Sequence, residues 1–308
     1  MIYIKQQIDS IDDTDTADLF DDWDIATPYI VEEDLDTLTN ASTCRYGAYY
    51  YVAITPSEGK QPDLYVDTYW MKWKISNKWA CLDLNSLSKS ETIGGSLYYT
   101  FLQNRTLIDF AIGNFTAETL LFEVLDTSDT VVYSYETDKV SIRNISNWYN
   151  WTYRELDYTV DRTIYIKSPI VGNKVRITFK DSLAVTDTSV GYIFGGLGVD
   201  MGKTINKIPF GFNSYSSVTT DDFGSMKIVE RAKQDIVDFQ TTVKNDKFIS
   251  KRRQIKADFD KVVAFILDNS DNSIYENLVV LGKMQNVTPI LETHDELQVL
   301  GWSVVEVV

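Results

Sequence analysis

The sequence predicts a mainly β, multi-module protein: a small β module, an antiparallel jelly roll or β-sandwich, and a C-terminal α+β module with one main helix. Three observations carry this expectation. Short β-rich runs follow one another from about residue 85 to 205, with Gly, Asn, Asp or Ser at most of the joins. Aromatic residues make up 13% of the 308 residues, including nineteen Tyr, a composition that suits pleated, half-buried surfaces. Only one stretch carries a full set of helix signals, and it lies near the C-terminus.

The elements follow in chain order. Residues 1–22 read as an acidic N-terminal arm. Between positions 9 and 36 there are twelve Asp or Glu and no Lys or Arg. The turn glycine and late glutamate of a calcium loop are missing, so this strip reads as solvated or as facing a basic partner. Residues 23–84 form a small aromatic β module. "CRYGAYYYVAI" alternates as a strand, "TPSEGKQPD" is a loop by its Pro, Gly and Asp content, and "YWMKWKISNKWACLD" crowds Trp70, Trp73 and Trp79 together.

Residues 85–205 supply the runs "LYYTFLQ", "LIDFAIG", "TLLFEVLD", "TVVYSYE", "RTIYIKS", "KVRITFKD" and "VGYIFGG", the pattern of a sandwich or jelly roll. Trp148 and Trp151 fall in a long inter-strand loop. Residues 206–308 form the α+β module. "MKIVERAKQDIVDFQTTV" reads as strand, and "NDKFISKRRQIKADFDKV" as the helix. Asp246 stands at its N-cap, and Phe248, Ile255, Phe259 and Val262 share one face. "VVAFILD", "NLVVLGKM" and "LGWSVVEVV" then return to strand, a β-α-β unit closed by further strands.

Charge narrows the partners. With 29 basic and 45 acidic side chains the net charge is −16, which repels phosphate backbones and argues against nucleic acid. No run of 18 apolar residues occurs, so no membrane insertion is expected. The start lacks a basic flank, an apolar stretch and a cleavage site, so no signal peptide is expected. Cys44 and Cys81 read as two buried thiols.

Little catalytic chemistry is visible. "GGLGVDMGKT" imitates a phosphate-binding loop, but Leu197 stands where its first glycine belongs, and Pro209 and Gly211 follow where a helix would start. His294, the one histidine, sits in a polar turn without a nucleophile's motif context. No cofactor and no metal site is expected. A glycosidase needs only two carboxylates whose separation is set in three dimensions, which leaves polysaccharide hydrolysis as a further reading. Sugar binding has more support, because flat aromatic faces stack on pyranose rings. Trp23, Tyr29, Tyr50, Trp70, Trp73 and Trp79 are the candidate platform, and the competing reading is that they fill the core of a small domain.

Residues Trp23, Tyr29, Tyr50, Pro62, Trp70, Asn77, Trp79 and Asp83 stand in an order that resembles the N-terminal, carbohydrate-binding-module-like domain of a tailed-bacteriophage virion structural protein family. Val31-Glu32-Glu33 replaces that family's usual Gly-Asp turn. The stretch from "NWYNWTY" to "VGYIFGGLGVDMGKT" is similar to its galactose-binding-like jelly roll, and "GFNSYSSVTTDDFGSMKIVERAKQDIVDFQTTV" to the segment after it. The resemblance implies a virion protein of the tail tip, collar, baseplate or fibre-attachment region, assembled in the host cytoplasm. Its implied partners are other tail proteins and further copies of itself, with a host-surface glycan as the alternative ligand. The segment "LVVLGKMQNVTPIL" is expected to offer a sheet edge for docking.

Overall fold

The period-2 runs become antiparallel strands throughout the computed structural model. It describes residues 1–32, 38–85, 87–92, 96–104, 106–117, 119–137, 162–180, 188–205, 208–220, 226–229, 231, 233–267, 279–290 and 297–307. The chain is mainly β, with several antiparallel sheets and one main helix near the C-terminus. His294, Trp148 and Trp151 lie outside the described residues.

Strands β1 (Ile2–Lys5) and β2 (Asp13–Thr14) open the chain. The aromatic module is a three-stranded sheet of β3 (Thr43–Tyr46), β4 (Tyr49–Ala53) and β5 (Trp70–Ile75), followed by a 3-10 turn over Asn77–Leu82. The expected single strand "CRYGAYYYVAI" is in fact a hairpin. Gly47, at φ 61°, takes the first position of a two-residue turn, so Tyr46 pairs with Tyr49. Only glycine adopts that backbone without strain, and a Gly-X pair matches the twist of the flanking strands.

The sandwich follows as β6 (Ser90–Thr92), β7 (Ser96–Leu102), β8 (Asp109–Phe115), β9 (Thr119–Leu125) and β10 (Val131–Glu136). It continues with β11 (Arg162–Lys167), β12 (Lys174–Lys180), β13 (Thr188–Val190) and β14 (Tyr192–Gly196). All seven sequence runs are strands here. One sheet has the order β10-β9-β12-β7-β2, and it faces a second of order β11-β8-β14. Between them pack Leu97, Tyr99 and Phe101 of β7, Phe110 and Ile112 of β8, Phe122 of β9, and Ile177 and Phe179 of β12. Strand β12 shows why, since Val175, Ile177 and Phe179 point inward and the residues between them outward. Each such side chain, fully buried, contributes roughly 1.5–3 kcal/mol.

The remaining strands are β15 (Gly198–Asp200), β16 (Lys203–Thr204), β17 (Phe210–Ser214), β18 (Ser217–Thr220), β19 (Met226–Val229) and β20 (Lys233–Lys244). Helix α1 (Asn245–Asp258) and strands β21 (Val262–Ile266), β22 (Val279–Ile290) and β23 (Leu297–Glu306) complete the chain. An eight-stranded sheet runs β15-β1-β21-β22-β23-β20-β16, with β17 also paired to β20. The N-terminal strand is therefore an interior strand of the C-terminal sheet, between β15 and β21. The acidic arm expected over 1–22 contributes strands to two sheets, and β1 is held because "IYIK" has apolar side chains on both faces. Tyr3 and Ile4, both fully buried, serve opposite cores.

Sheet β11-β8-β14 is the middle of three β layers. Its second face, Ala111, Tyr192 and Phe194, packs on Ile4, Ala264, Ile266 and Leu281 of the eight-stranded sheet. The far face of that sheet carries Val237, Phe239, Phe265, Trp302 and Val304 and is covered by Ile255 of α1, with Phe248 and Phe259 beside it. Phe239 and Trp302 stack with ring centroids 5.8 Å apart. The N-cap of helix α1 stands two residues earlier than expected. Lys244 is the N-cap, and Asp246 sits in the first turn, where its charge complements the helix dipole instead of capping it. Val262 belongs to β21 and not to the helix.

Candidate functional site

The three-stranded sheet divides the six aromatic candidates between its two faces. Tyr29 and Trp70 lie in the core cluster with Cys44, Tyr51 and Ala53, and their rings meet edge to face with centroids 4.8 Å apart. Trp70 is fully buried, and its indole N–H donates to the Lys60 carbonyl at 2.7 Å. Trp23 packs on the rim of that cluster, edge-on to Tyr46. Tyr50 belongs to the other face, against Phe20, and is buried. Its hydroxyl donates to Asp18 and accepts from the Leu19 N–H.

Trp73 is half-buried on Phe20, on the face it shares with Tyr50, and β5 bulges there, setting Trp73 and Lys74 against the single residue Tyr50. Lys74 lies 4.3 Å from the Trp73 ring centre. Trp79 is half-buried in the 3-10 turn. Three of the six rings are thus core, and no common flat face gathers the others. Sequence reasoning passed over Tyr65 and Tyr69, which flank Lys60 on the loop before β5, with the ammonium 5.2 Å and 5.6 Å from their ring centres. The signal was available in "KQPDLYVDTY", an aromatic pair four residues apart beside a lysine.

Part of the acidic strip finds partners within the chain. Arg45 bridges Asp18 at 3.0 Å and Asp22, Lys174 bridges Asp12 at 3.1 Å and Asp129 at 2.9 Å, and Asp13 accepts the Tyr98 hydroxyl at 3.0 Å. Asp15 accepts the Tyr98 N–H at 2.8 Å, and burial raises its pKa against that hydrogen bond. Among the described residues no group of three or more His, Cys, Asp or Glu converges to hold a metal ion. Cys44 and Cys81 are free and buried, and burial pushes both thiols up to about 12. Since the thiolate is the nucleophile, neither is expected to react with iodoacetamide at pH 8 in the folded protein, and both to react in 6 M guanidinium. Mass spectrometry reads the outcome, and rapid labelling of either one in the native state would contradict its burial.

The glycine-rich stretch works as a bridge between layers. β14, β15 and β16 carry the chain from the middle sheet into the eight-stranded sheet, and no helix follows Thr204. A side chain at Gly196 would collide with the Lys5 carbonyl oxygen, which is why a glycine stands where the two sheets approach. Within the segment expected to offer a docking edge, Val279–Ile290 form β22, which has a strand on both sides only in its first half. Gly282–Ile290 pairs with β23 and Val279–Lys283 with β21.

No known protein family, curated protein or solved structure matches this chain.

A second open edge lies on β17. β17 pairs with β20 over Phe210–Ser214 without a register shift, and its other side has no partner among the described strand pairings. All five residues are exposed, Phe210 at 54% and Phe212 at 68%. Phe210 pairs with the buried Val237, so both phenylalanines extend the face that α1 covers further along the sheet. Ile208 before them packs on that core, but Phe210 and Phe212 run out beyond it. The adjoining hairpin of β18 and β19 adds Met226 at 73% exposure and Val229. Two exposed phenylalanines on one face of an unpaired edge suit an interaction surface.

On the opposite face of β20, β22 and β23 lies a hollow of about 510 Å³ lined by Asp238, Gln240, Asn286, Thr288 and Ser303. One carboxylate, two carboxamides and two hydroxyls can hydrogen-bond a neutral polar group.

Proposed function

We propose that this protein is a non-enzymatic structural component of a phage tail, in the tail tip, collar or fibre-attachment region, and that it acts by protein–protein assembly. The observation that supports assembly is the edge strand β17 with Phe210 and Phe212 laid open to solvent. A monomer gains nothing from displaying two phenylalanines on an unprotected sheet edge, whereas a subunit gains a docking site. The placement on a phage rests on the order of motifs from Trp23 to the segment 211–243. Epitope-tagged protein expressed during infection is expected in purified particles, read by mass spectrometry and immunogold labelling of tails. A chain abundant in the lysate and absent from particles overturns the reading.

A second reading, adsorption to a host glycan, draws on Tyr65 and Tyr69 around Lys60, an arrangement of ring faces and a cation that suits an acidic saccharide. Retention on host cell-wall polysaccharide that disappears in Tyr65→Ala, with unchanged melting temperature, would favour it over assembly.

A further inference from the structure

We infer that β17 is a self-pairing edge, and that two copies of this chain join there, antiparallel about Gly211, into one continuous sheet. This rests on the assembly reading and names the partner as a second copy. Three features of the strand lead to it.

The first is the open core. The apolar face that α1 covers at Phe239 and Trp302 continues through Val237 to Phe210 and Phe212, where no described element covers it. Such a face, cut off in mid-core, is typical of subunits that complete one another. The second is charge. The whole stretch Ile208–Thr220 carries no charged residue, in a chain of net charge −16. A basic or acidic partner would find nothing to pair with here, while two acidic copies can approach here without bringing like charges together. The nearest carboxylate along the sheet is Asp235, opposite Phe212 on β20. Across the joint, the two β20 strands lie three strand spacings apart, about 14 Å, beyond a screening length of about 8 Å.

The third is register. Pairing about Gly211 sets Phe210 of each copy opposite Phe212 of the other, which gathers four phenylalanines on one face. It sets the two Gly211 residues opposite each other, and a Cβ built on Gly211 meets nothing within 4 Å. The devices that natural edges use against such pairing, an in-strand Pro, Lys or bulge, are absent from "FGFNS". A two-fold joint uses the same patch on both subunits, which a five-residue strand with i, i+2 phenylalanines supplies.

Sedimentation equilibrium of the purified full chain is expected to show a concentration-dependent species of twice the 35.2 kDa of one chain. The double variant Phe210→Lys/Phe212→Lys should remain a monomer at every concentration, with unchanged circular dichroism, since both side chains are exposed. Gly211→Cys should form a disulfide-linked dimer on mild oxidation, because Cys44 and Cys81 are buried and the two new thiols face each other. Asn213→Cys, set opposite Pro209 in that register, should cross-link at least tenfold more slowly. A wild-type chain that stays monomeric, a dimer that survives the double lysine variant, or equal cross-linking at 211 and 213 each overturns the inference. A monomer that still enters virions would end self-pairing alone, whereas exclusion from virions would end the assembly reading on which it rests.

Discussion

Asp258→Asn is expected to cost about 3 kcal/mol of stability at pH 7, a large part of a typical domain's total. Asp258 ends α1 and is 1% exposed, yet it accepts hydrogen bonds from Tyr3 at 2.9 Å and Lys5 at 2.8 Å, both on β1, and from Lys261 at 3.1 Å. Burial by itself raises the pKa of such a carboxyl. Lys5, Lys261 and Tyr3 together outweigh that burial, so the net shift is downward. A carboxyl lowered in the folded state contributes stability that is complete above its unfolded value, near 3.9, and is lost as the pH falls through the folded value.

Urea midpoints of the native protein should therefore hold between pH 7 and 5 and fall below about pH 4. In Asp258→Asn they should start lower and lose less over that acidic range. A variant within 0.5 kcal/mol of the native protein, with the same acid profile, would show that this carboxylate does not tie β1 to the helix end. Asparagine keeps the shape and removes the charge, so Lys5 is left without its counter-charge and Tyr3 with a weaker acceptor.

Trp70→Ala is expected to cost about 3–5 kcal/mol and to act locally. The ring is fully buried, stacked edge to face on Tyr29, and hydrogen-bonded to the loop that returns to β5. Its cluster is separate from the three larger cores. Amide exchange should accelerate across β3, β4 and β5 while β7, β8 and β9 keep their protection. Trp73→Ala, which removes a half-buried ring at a bulge, should cost about 1 kcal/mol. Equal losses at the two positions would mean that the two faces of this small sheet are not as different as their burial.

That pair shows where sequence reading stops. Trp70 and Trp73 stand three apart in a run of alternating aromatics, and nothing local marks one as core and the other as rim. Their odd spacing puts them on opposite faces, but which face closes over a core is decided by what packs there, Tyr29 and Cys44 on one side and only Phe20 on the other. Gly47 was different, since a Gly-Ala pair between "TCRY" and "YYYVA" carries the chemistry of a tight turn within itself. The open edge at β17 was not legible for a related reason. Residues 279–290 and 208–214 both alternate as strands, and only the pairings show that β21 covers the first half of β22 and that β17 is paired on one side.

Sequence alone determined the fold class, the seven sandwich strands and the location of the helix, because the alternation of side chains along a strand and the period of a helix are written over four to fifteen neighbouring residues. Tertiary structure alone decided that β1 inserts beside β21, that the acidic strip neutralises Arg45 and Lys174, and that β17 is left open. Backbone hydrogen bonds are identical from strand to strand and carry no address. Which strands meet is chosen by the total apolar surface the assembled layers bury, a quantity that no short stretch of sequence contains.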